Sequence, residues 1–336
     1  MPTGEELARG HAGSSLRLAR VGSFHVGGRN IRITGQPTRD VAFTASAAVR
    51  YDPNGLFHIE QAYVQYFVPE DIRFGLPLVL LHGGGFSGTM WERTPDDREG
   101  WLQAFLRRGF VVNVVDNVER GRAGWCPFPE AWPEAPIMRS AQEAWTLFRF
   151  GSPFSESDLP AQGLPFEGLR FPIARVAELL MQGVPRWPGN NDIAVAGLRA
   201  VLERVGPCVL LAHSHGAEIA FRAASAAPDM VRAVIAIEPS GFATGLTEGS
   251  VAGRSHLFIY GDYISTSPLW VGLVDRAKAF CQDVESTGGD VTWWSLPDLD
   301  IRGNSHMLMM DDNSDLIAHR IADWLLANPR LTIPKA

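Results

Sequence analysis

Residues 207–216, Pro-Cys-Val-Leu-Leu-Ala-His-Ser-His-Gly, decide the fold. Their apolar run has the length of a strand and stops at Ser214, and an alanine-rich, helix-compatible stretch follows. A serine at a sharp bend between a buried strand and a helix exposes its hydroxyl, and the neighbouring amides point at whatever that hydroxyl attacks. The usual pattern is G-x-S-x-G, and Ala212 replaces its first glycine at the cost of one methyl group. We therefore interpret Ser214 as a nucleophile.

Strand-like and helix-like segments alternate on both sides of this bend. Such alternation predicts a mostly parallel sheet covered by helices. Upstream of residue 75, the strand-like pieces 16–25, 30–34 and 62–68 are separated by turn residues and predict an antiparallel lead-in. In the alternating part we predict strands at 77–82, 110–116, 208–213, 232–237, 256–260 and 291–296, and helices at 101–108, 217–226 and 315–326.

Residues 125–190 break the alternation. They hold ten of the 23 prolines and ten of the 33 aromatic residues, so they do not form a regular strand-helix unit. We predict one catalytic domain in three parts: core residues 1–124, an inserted cap at 125–190, and core residues 191–336. The cap aromatics, Phe154 among them, are expected to line an apolar site or to attach the insertion to the body. The predicted substrate-binding residues are Trp91, Trp125, Phe128 and Trp132.

Composition limits the partners of this chain. The 336 residues carry a net charge of −7 and contain no Lys/Arg-rich run, which argues against nucleic acid, anionic membranes and acidic substrates. No apolar run reaches the roughly 18 residues of a membrane span. With no visible leader and three widely spaced cysteines, expected to be free thiols, we predict a cytoplasmic protein. A single disulfide and export of an already processed chain are left open. A small molecule is the expected partner, and a homodimer is left open.

A serine nucleophile needs a base and an acid, which follow it in the chain order Ser, acid, His in folds of this kind. His306 lies after the last predicted strand and before the last predicted helix, where that base belongs. Two acids compete on position alone, because Glu238 and Asp262 end successive strands. A carboxylate that closes an apolar strand is costly to bury without a partner, so Glu238 in particular requires an explanation.

A second glycine-rich turn supplies candidate oxyanion donors. The stretch 80–86 leaves a predicted buried strand and enters three consecutive glycines. Amides there can donate to a developing negative charge, because no side chain blocks close approach. The candidate donors are the amides of Gly84, Gly85 and His215. We interpret His82 as structural.

Taken together, these residues resemble a branch of bacterial α/β-hydrolase esterases. The matching stretches are 82–92, 120–123, 213–214, 238–239 and 303–306, in that order through the catalytic core. The resemblance implies an α/β-hydrolase fold with a mostly parallel central sheet flanked by helices, a carboxylesterase activity, and Glu238 as the triad acid. The best-known members carry two disulfide-linked cysteines where this chain has Gly84 and Gly85, and they are exported. This chain lacks the cysteine pair, and without a visible leader we do not expect export.

Other interpretations account for less of the sequence. Gly83, Gly85 and Gly88 spell a dinucleotide motif, but the next strand-ending acid is too distant and the triad candidates stay unexplained. A metal site on His213 and His215 lacks a third ligand. A non-catalytic ligand sensor would not require a complete triad, so the triad argues against it. Lactone hydrolysis, C–C bond hydrolysis, acyl transfer and lyase chemistry use the same triad, and the sequence does not separate them from ester hydrolysis. We expect a serine esterase, with lactonase activity left open, that uses neither cofactor nor metal.

Overall fold

The computed structural model describes residues 15–153 and 163–331. Its main sheet has eight strands in the spatial order β1-β4-β6-β5-β7-β8-β9-β10, and the remaining two strands, β2 and β3, form a separate hairpin. The strands are β1 (Leu18–Ile33), β2 (Arg39–Thr44), β3 (Ala47–Tyr51), β4 (Gly55–Pro69), β5 (Leu78–Leu81), β6 (Val112–Asp116), β7 (Cys208–His213), β8 (Val231–Ile237), β9 (Ser255–Tyr260) and β10 (Asp290–Ser295).

The direction of pairing divides the sheet into two parts. Strands β6, β5, β7, β8, β9 and β10 are parallel, whereas β4 pairs antiparallel with both β1 and β6. This arrangement confirms the predicted mostly parallel sheet with an antiparallel lead-in. The expected break between 16–25 and 30–34 is wrong, because β1 pairs with β4 from Leu18 to Ile33 and Gly27 stays opposite Gln61. Long-range strand pairing therefore overrides the local turn signal of Gly27 and Gly28.

Helices cover both faces of the sheet. They are α1 (Trp101–Arg107), α2 (Ala141–Leu147), α3 (Val176–Leu180), α4 (Asn191–Val205), α5 (His215–Ala226), α6 (Glu248–Val251), α7 (Pro268–Ser286) and α8 (Ser314–Ala327). Neither α4 nor α7 was predicted from the sequence. Among the helices that the structure describes, none is long and apolar enough to cross a membrane.

Two hydrophobic cores result, one on each face. Leu78 and Leu80 of β5 enter the core that contains α1 and α8, and Val79 and Leu81 enter the core that contains α4, α5 and α7. Successive side chains of a strand point to opposite faces, so a strand covered on both sides has to be apolar throughout. This requirement explains the uninterrupted apolar runs that mark the parallel strands in the sequence.

Residues 125–190, the predicted cap, contain α2 and α3 but no strand among those that the structure describes. Trp145, Phe148 and Phe150 are buried in the core that contains α1 and α8. Phe154 lies outside the described residues. The cysteines Cys126, Cys208 and Cys281 are buried and unpaired, which confirms the prediction of free thiols.

Candidate active site

Ser214 occupies the turn between β7 and α5 with φ 53° and ψ −123°. Positive φ is uncommon for a residue with a side chain and is frequent at functional sites, where the surroundings impose it. The turn is held by the Ser214 amide, which donates to the carbonyl of Ile237 (2.8 Å). The hydroxyl Oγ lies 3.5 Å from Oγ of Ser240. The bend predicted from the sequence is therefore present, and Ser214 at this bend is partly exposed.

The glycine loop after β5 lies directly against this turn. A Cβ on Gly83 would come within 3.3 Å of the Ser214 Cβ, and one on Gly84 would come within 3.4 Å of the His215 Cβ. Gly85 has φ 80°, a conformation that favours glycine. The structure thus brings Gly84 and His215 together beside Ser214, at the N-terminal end of α5. Amides at such an end carry a partial positive charge.

His306 follows β10 in an extended loop and is buried. Its ring is enclosed by the rings of Phe148, Trp270 and His213, with centroids 5.5, 4.5 and 4.5 Å away. Nε2 of His213 donates to the His306 carbonyl (3.0 Å), which ties the residue before Ser214 to the histidine loop. Among the described residues, Nε2 of His306 has no hydrogen-bond partner, so this nitrogen is free to accept a proton.

Asp311 braces the loop that carries His306. Its carboxylate accepts hydrogen bonds from the Ser305 hydroxyl (2.7 Å), the Ser305 amide (2.9 Å) and Nδ2 of Asn304 (2.9 Å). All three residues are buried. The sequence analysis missed this role of Asp311, although a carboxylate between two apolar segments is a signal for a buried partner.

Glu238 lies at the end of β8, completely buried, with φ 50°. Nδ1 of His306 donates to its Oε2 at 3.2 Å, and the amide of Gly261 donates to Oε1 at 2.6 Å. Because Nδ1 carries the proton in this bond, Nε2 of the neutral ring is the unprotonated nitrogen. Glu238 is therefore the carboxylate in direct contact with His306.

Arg149 forms a bidentate ion pair with the same carboxylate. Its two terminal nitrogens donate to Oε2 and Oε1 of Glu238 at 2.9 and 2.6 Å, and its Nε donates to the Asp262 carbonyl at 2.8 Å. Burial alone raises the pKa of a carboxyl group, but the Arg149 charge and the bond from His306 outweigh it and bring the pKa of Glu238 to about 2. The sequence analysis missed Arg149, although an arginine between Phe148 and Phe150 was itself a signal for a buried partner.

Asp262, the alternative acid, supports the backbone instead. Its Oδ1 accepts from the Tyr263 amide (2.8 Å) and its Oδ2 accepts from the Gly303 amide (2.9 Å). Asp262 thus joins the loop after β9 to the start of the His306 loop. It makes no hydrogen bond to His306 among the described residues.

His82 is buried and His215 is half-buried, and the surroundings of both favour neutral rings. Nε2 of His82 accepts from the Asn117 amide (3.1 Å), and burial lowers the pKa of His82 to about 4. Burial and then the charge of Arg186 lower the pKa of His215 to about 3, while its ring contacts Asn191. His82 joins the ends of β5 and β6, in agreement with its predicted structural role.

A pocket borders the glycine loop. It is partly open to solvent and extends from Gly84 and Gly85 to Phe148, whose ring stacks on His306. Helix α3 and the segments 137–139 and 183–186 form its other walls. Most of these side chains are apolar, with Arg139 and Arg186 as the charged exceptions.

The aromatic residues that were predicted to bind substrate do not line this pocket. Trp91 is fully buried and stacks on Trp101, with ring centroids 5.7 Å apart. Trp125, Phe128 and Trp132 belong to a separate aromatic cluster against β1 and β4. None of these four residues therefore contacts the pocket beside the glycine loop. Their apolar surface packs the insertion and α1 onto the sheet, which is the alternative role that the sequence also allowed.

The loop arginines Arg120 and Arg122 both form ion pairs within their own loop or with the last residue of β6 before it. Arg120 donates to Glu119 (3.2 Å), with both side chains buried, and Nε of Arg122 donates to Asp116 (2.7 Å). The other Asp116 oxygen accepts from the Gly88 amide at 2.6 Å. These pairs join the loop after β6 to the loop after β5.

This fold and site define the class of α/β-hydrolases. The atomic-resolution structure of a novel bacterial esterase is 30% identical in sequence to this chain, with a TM-score of 0.76, and the similarity covers 93% of this chain and 96% of the esterase. The chain therefore belongs to that esterase family, within the carboxylic ester hydrolases. No protein-family model matches it.

A probable secreted lipase, phiG, from Fungal sp. (strain ATCC 74256) is also similar to this chain. The two are 29% identical, over 78% of this chain and 85% of the lipase. This similarity contradicts the predicted cytoplasmic location, which is withdrawn. Buried thiols are protected from oxidation in any compartment, so the three cysteines did not carry the information drawn from them.

Proposed function

We propose that this enzyme is a serine esterase that works through an acyl-enzyme at Ser214, with His306 as base and Glu238 as the acid that orients it. The observation that carries the proposal is the bond from Nδ1 of His306 to the buried Glu238 carboxylate, in a loop that is tied to the residue before Ser214. This bond leaves Nε2 unprotonated and fixes the ring between Phe148 and Trp270. A base held in this way serves the nucleophile of an acyl transfer.

In the proposed reaction, Nε2 of His306 takes the proton of the Ser214 hydroxyl as Oγ attacks the ester carbonyl carbon. The tetrahedral intermediate collapses, and the same proton passes to the leaving alkoxide oxygen as the C–O bond of the ester breaks. Water then loses a proton to Nε2 and attacks the acyl-enzyme, which releases the carboxylic acid and restores Ser214. Because Glu238 remains ionised throughout, it stabilises the imidazolium that forms twice in each cycle.

The negative oxygen of both intermediates would be held by backbone amides of Gly84, Gly85 and His215. Support comes from the approach of the Gly84 backbone to His215 and from the position of His215 at the start of α5. Preorganised donors of this kind contribute on the order of 3–4 kcal/mol each to transition-state stabilisation. Each step uses side chains and amides of this chain alone.

The pocket beside the glycine loop favours a substrate of moderate size with an apolar part. Phe86, Leu179, Leu180 and Val184 supply apolar walls. Residues 125–190 contribute Phe148 and much of this lining, so we propose that they act as the cap. An open-chain ester and a lactone offer the same carbonyl chemistry, and both are candidate substrates.

The test is hydrolysis of a panel of p-nitrophenyl esters and simple lactones by the wild type and by Ser214→Ala. We expect turnover of at least one substrate by the wild type, and its loss in Ser214→Ala without a change in the thermal unfolding temperature. The exposed Ser286→Ala variant is the matched control and retains activity. Full activity in Ser214→Ala would refute the nucleophile, and a folded wild type that is inactive on every substrate would refute ester hydrolysis.

A further inference from the structure

Arg186 is a charged group of the pocket that lacks a counter-ion. Its buried Nε has no hydrogen-bond partner, and no carboxylate lies within ion-pair distance of its guanidinium among the described residues. One terminal nitrogen would come within 3.2 Å of a Cβ placed on Gly84. The guanidinium therefore lies against the glycine loop that borders the proposed reaction centre.

The backbone holds Arg186 in this place. The Arg186 amide donates to the Ile137 carbonyl (3.0 Å), the Ile137 amide donates back to the Arg186 carbonyl (2.8 Å), and the Val184 amide donates to the Gly85 carbonyl (2.8 Å). Segment 184–186 is thus fixed both to the oxyanion loop and to the opposite wall of the pocket. The backbone that carries Arg186 is thus held beside the pocket, and its guanidinium can match the planar geometry of a carboxylate.

The carboxylates of Glu119 and Glu218 act on Arg186 through their charges, but neither is within ion-pair distance and both bond to other groups. Glu119 accepts from Arg120 and Asn190, and Glu218 accepts from Asn191. Burial, and then the charge of Arg139, lower the pKa of Arg186 from its ordinary value. Arg186 is half-buried. Partial burial of a charge that has no ion-pair partner costs free energy, part of which an anion bound in the pocket would recover.

Arg139 lies on the same pocket and makes its ion pair with Glu143, outside the lining. Two guanidinium groups and no carboxylate therefore line a pocket that is otherwise mainly apolar. The lack of a basic run argued against acidic substrates, but folding brings together two arginines that are distant in sequence.

We propose that the pocket binds a substrate carboxylate through Arg186, so that the preferred substrates are esters that carry a carboxylate in addition to the ester group. This inference rests on the proposed ester hydrolysis at Ser214. The apolar walls would hold the hydrocarbon between the ester and the carboxylate. Arg186 would donate two hydrogen bonds to the carboxylate oxygens.

Two matched pairs of substrates test the proposal and locate the carboxylate. Mono-p-nitrophenyl glutarate is compared with p-nitrophenyl pentanoate for a carboxylate on the acyl side. Para-pentanoyloxybenzoate is compared with the corresponding benzamide for a carboxylate on the alcohol side. Each pair is measured with the wild type, Arg186→Gln, Arg186→Lys and the exposed control Arg320→Gln.

In one of the two pairs we expect the wild type to favour the carboxylate by about tenfold or more in kcat/KM, the value of one charge-assisted hydrogen bond. The ratio of kcat/KM for the carboxylate substrate to kcat/KM for its neutral partner falls to near one in Arg186→Gln. The ratio is intermediate in Arg186→Lys and unchanged in Arg320→Gln. A wild type without preference in either pair, or a preference that survives Arg186→Gln, overturns the proposal.

A binding measurement separates this inference from the proposed reaction. Glutarate dianion is added to the Ser214→Ala protein, and the thermal unfolding temperature is recorded with and without Arg186→Gln. We expect glutarate to raise this temperature only when Arg186 is present, because a ligand that binds the folded state stabilises it. Equal shifts in both proteins, or none, overturn the carboxylate site even if every ester is hydrolysed.

Discussion

Arg149 binds both carboxylate oxygens of Glu238, one of which also accepts the hydrogen bond from His306. The arginine and the glutamate are both fully buried, and the guanidinium stacks over Trp270 at 4.7 Å from the ring centroid. Arg149 belongs to the inserted segment 125–190, whereas Glu238 ends a strand of the core. The insertion is therefore joined to the proposed catalytic acid by a buried ion pair.

Replacement of Arg149 by methionine leaves Glu238 buried without its main counter-ion. We expect a loss of about 3–5 kcal/mol in the free energy of unfolding, the usual result of removing one partner of a buried pair. Arg149→Lys keeps the charge but loses the bidentate geometry, so its loss is smaller. Urea denaturation of both variants measures this difference. Equal stability of Arg149→Met and wild type would contradict the assigned role of the ion pair.

The pH dependence of kcat/KM reports the protonation of His306. Burial lowers the pKa of His306, the bond to Glu238 opposes this effect, and the Arg149 charge lowers the pKa further. A base acts only when unprotonated, so activity rises with pH and reaches half of its plateau below the ordinary histidine value of about 6.5. In Arg149→Lys, whose charge is held less closely, the midpoint moves to higher pH. A midpoint well above 6.5 in the wild type is the result that contradicts this assignment.

Neutralising each of the two candidate acids is expected to lower kcat by a different amount. Glu238→Gln removes the charge that stabilises the imidazolium, and we expect kcat to fall by roughly 10³- to 10⁴-fold, as for other triad acids. Asp262→Asn weakens only backbone contacts and costs about tenfold or less. Steady-state kinetics on a p-nitrophenyl ester, with both proteins folded, compares them. A larger loss in Asp262→Asn transfers the acid role to Asp262.

Gly83 packs against the elbow, and a methyl group there disturbs the proposed oxyanion loop. A Cβ on Gly83 would lie 2.6 Å from Nδ1 of His213. We expect Gly83→Ala to lower kcat by about 10²-fold, comparable with the loss of one oxyanion donor. Gly249→Ala is the matched control, because a Cβ on Gly249 meets nothing within 4 Å. Similar kcat values for the two variants would show that the loop does not position donors.

The sequence was informative where a physical requirement of the fold restricts the residue types at neighbouring positions. Strands covered on both faces have to be apolar, so β5 and β7 were recognisable, and the bend at Ser214 follows from the small residues beside it. The order Ser, acid, His placed His306 correctly in the loop after β10. Composition alone could not assign a role to the aromatic residues, because apolar surface that packs against a sheet has the same composition as apolar surface that contacts a ligand.

By itself, the sequence determined the parallel sheet, the elbow at Ser214 and the short set of residues that includes His306, Glu238 and Asp262. Only the tertiary structure decided which carboxylate contacts His306, that Arg149 neutralises it, and that Arg186 faces a pocket without a counter-ion. The physical reason is that these interactions act between different parts of the chain. Strand, turn and helix signals act between neighbours in the chain, whereas charge pairing depends on distances of a few ångströms between segments that only folding brings together.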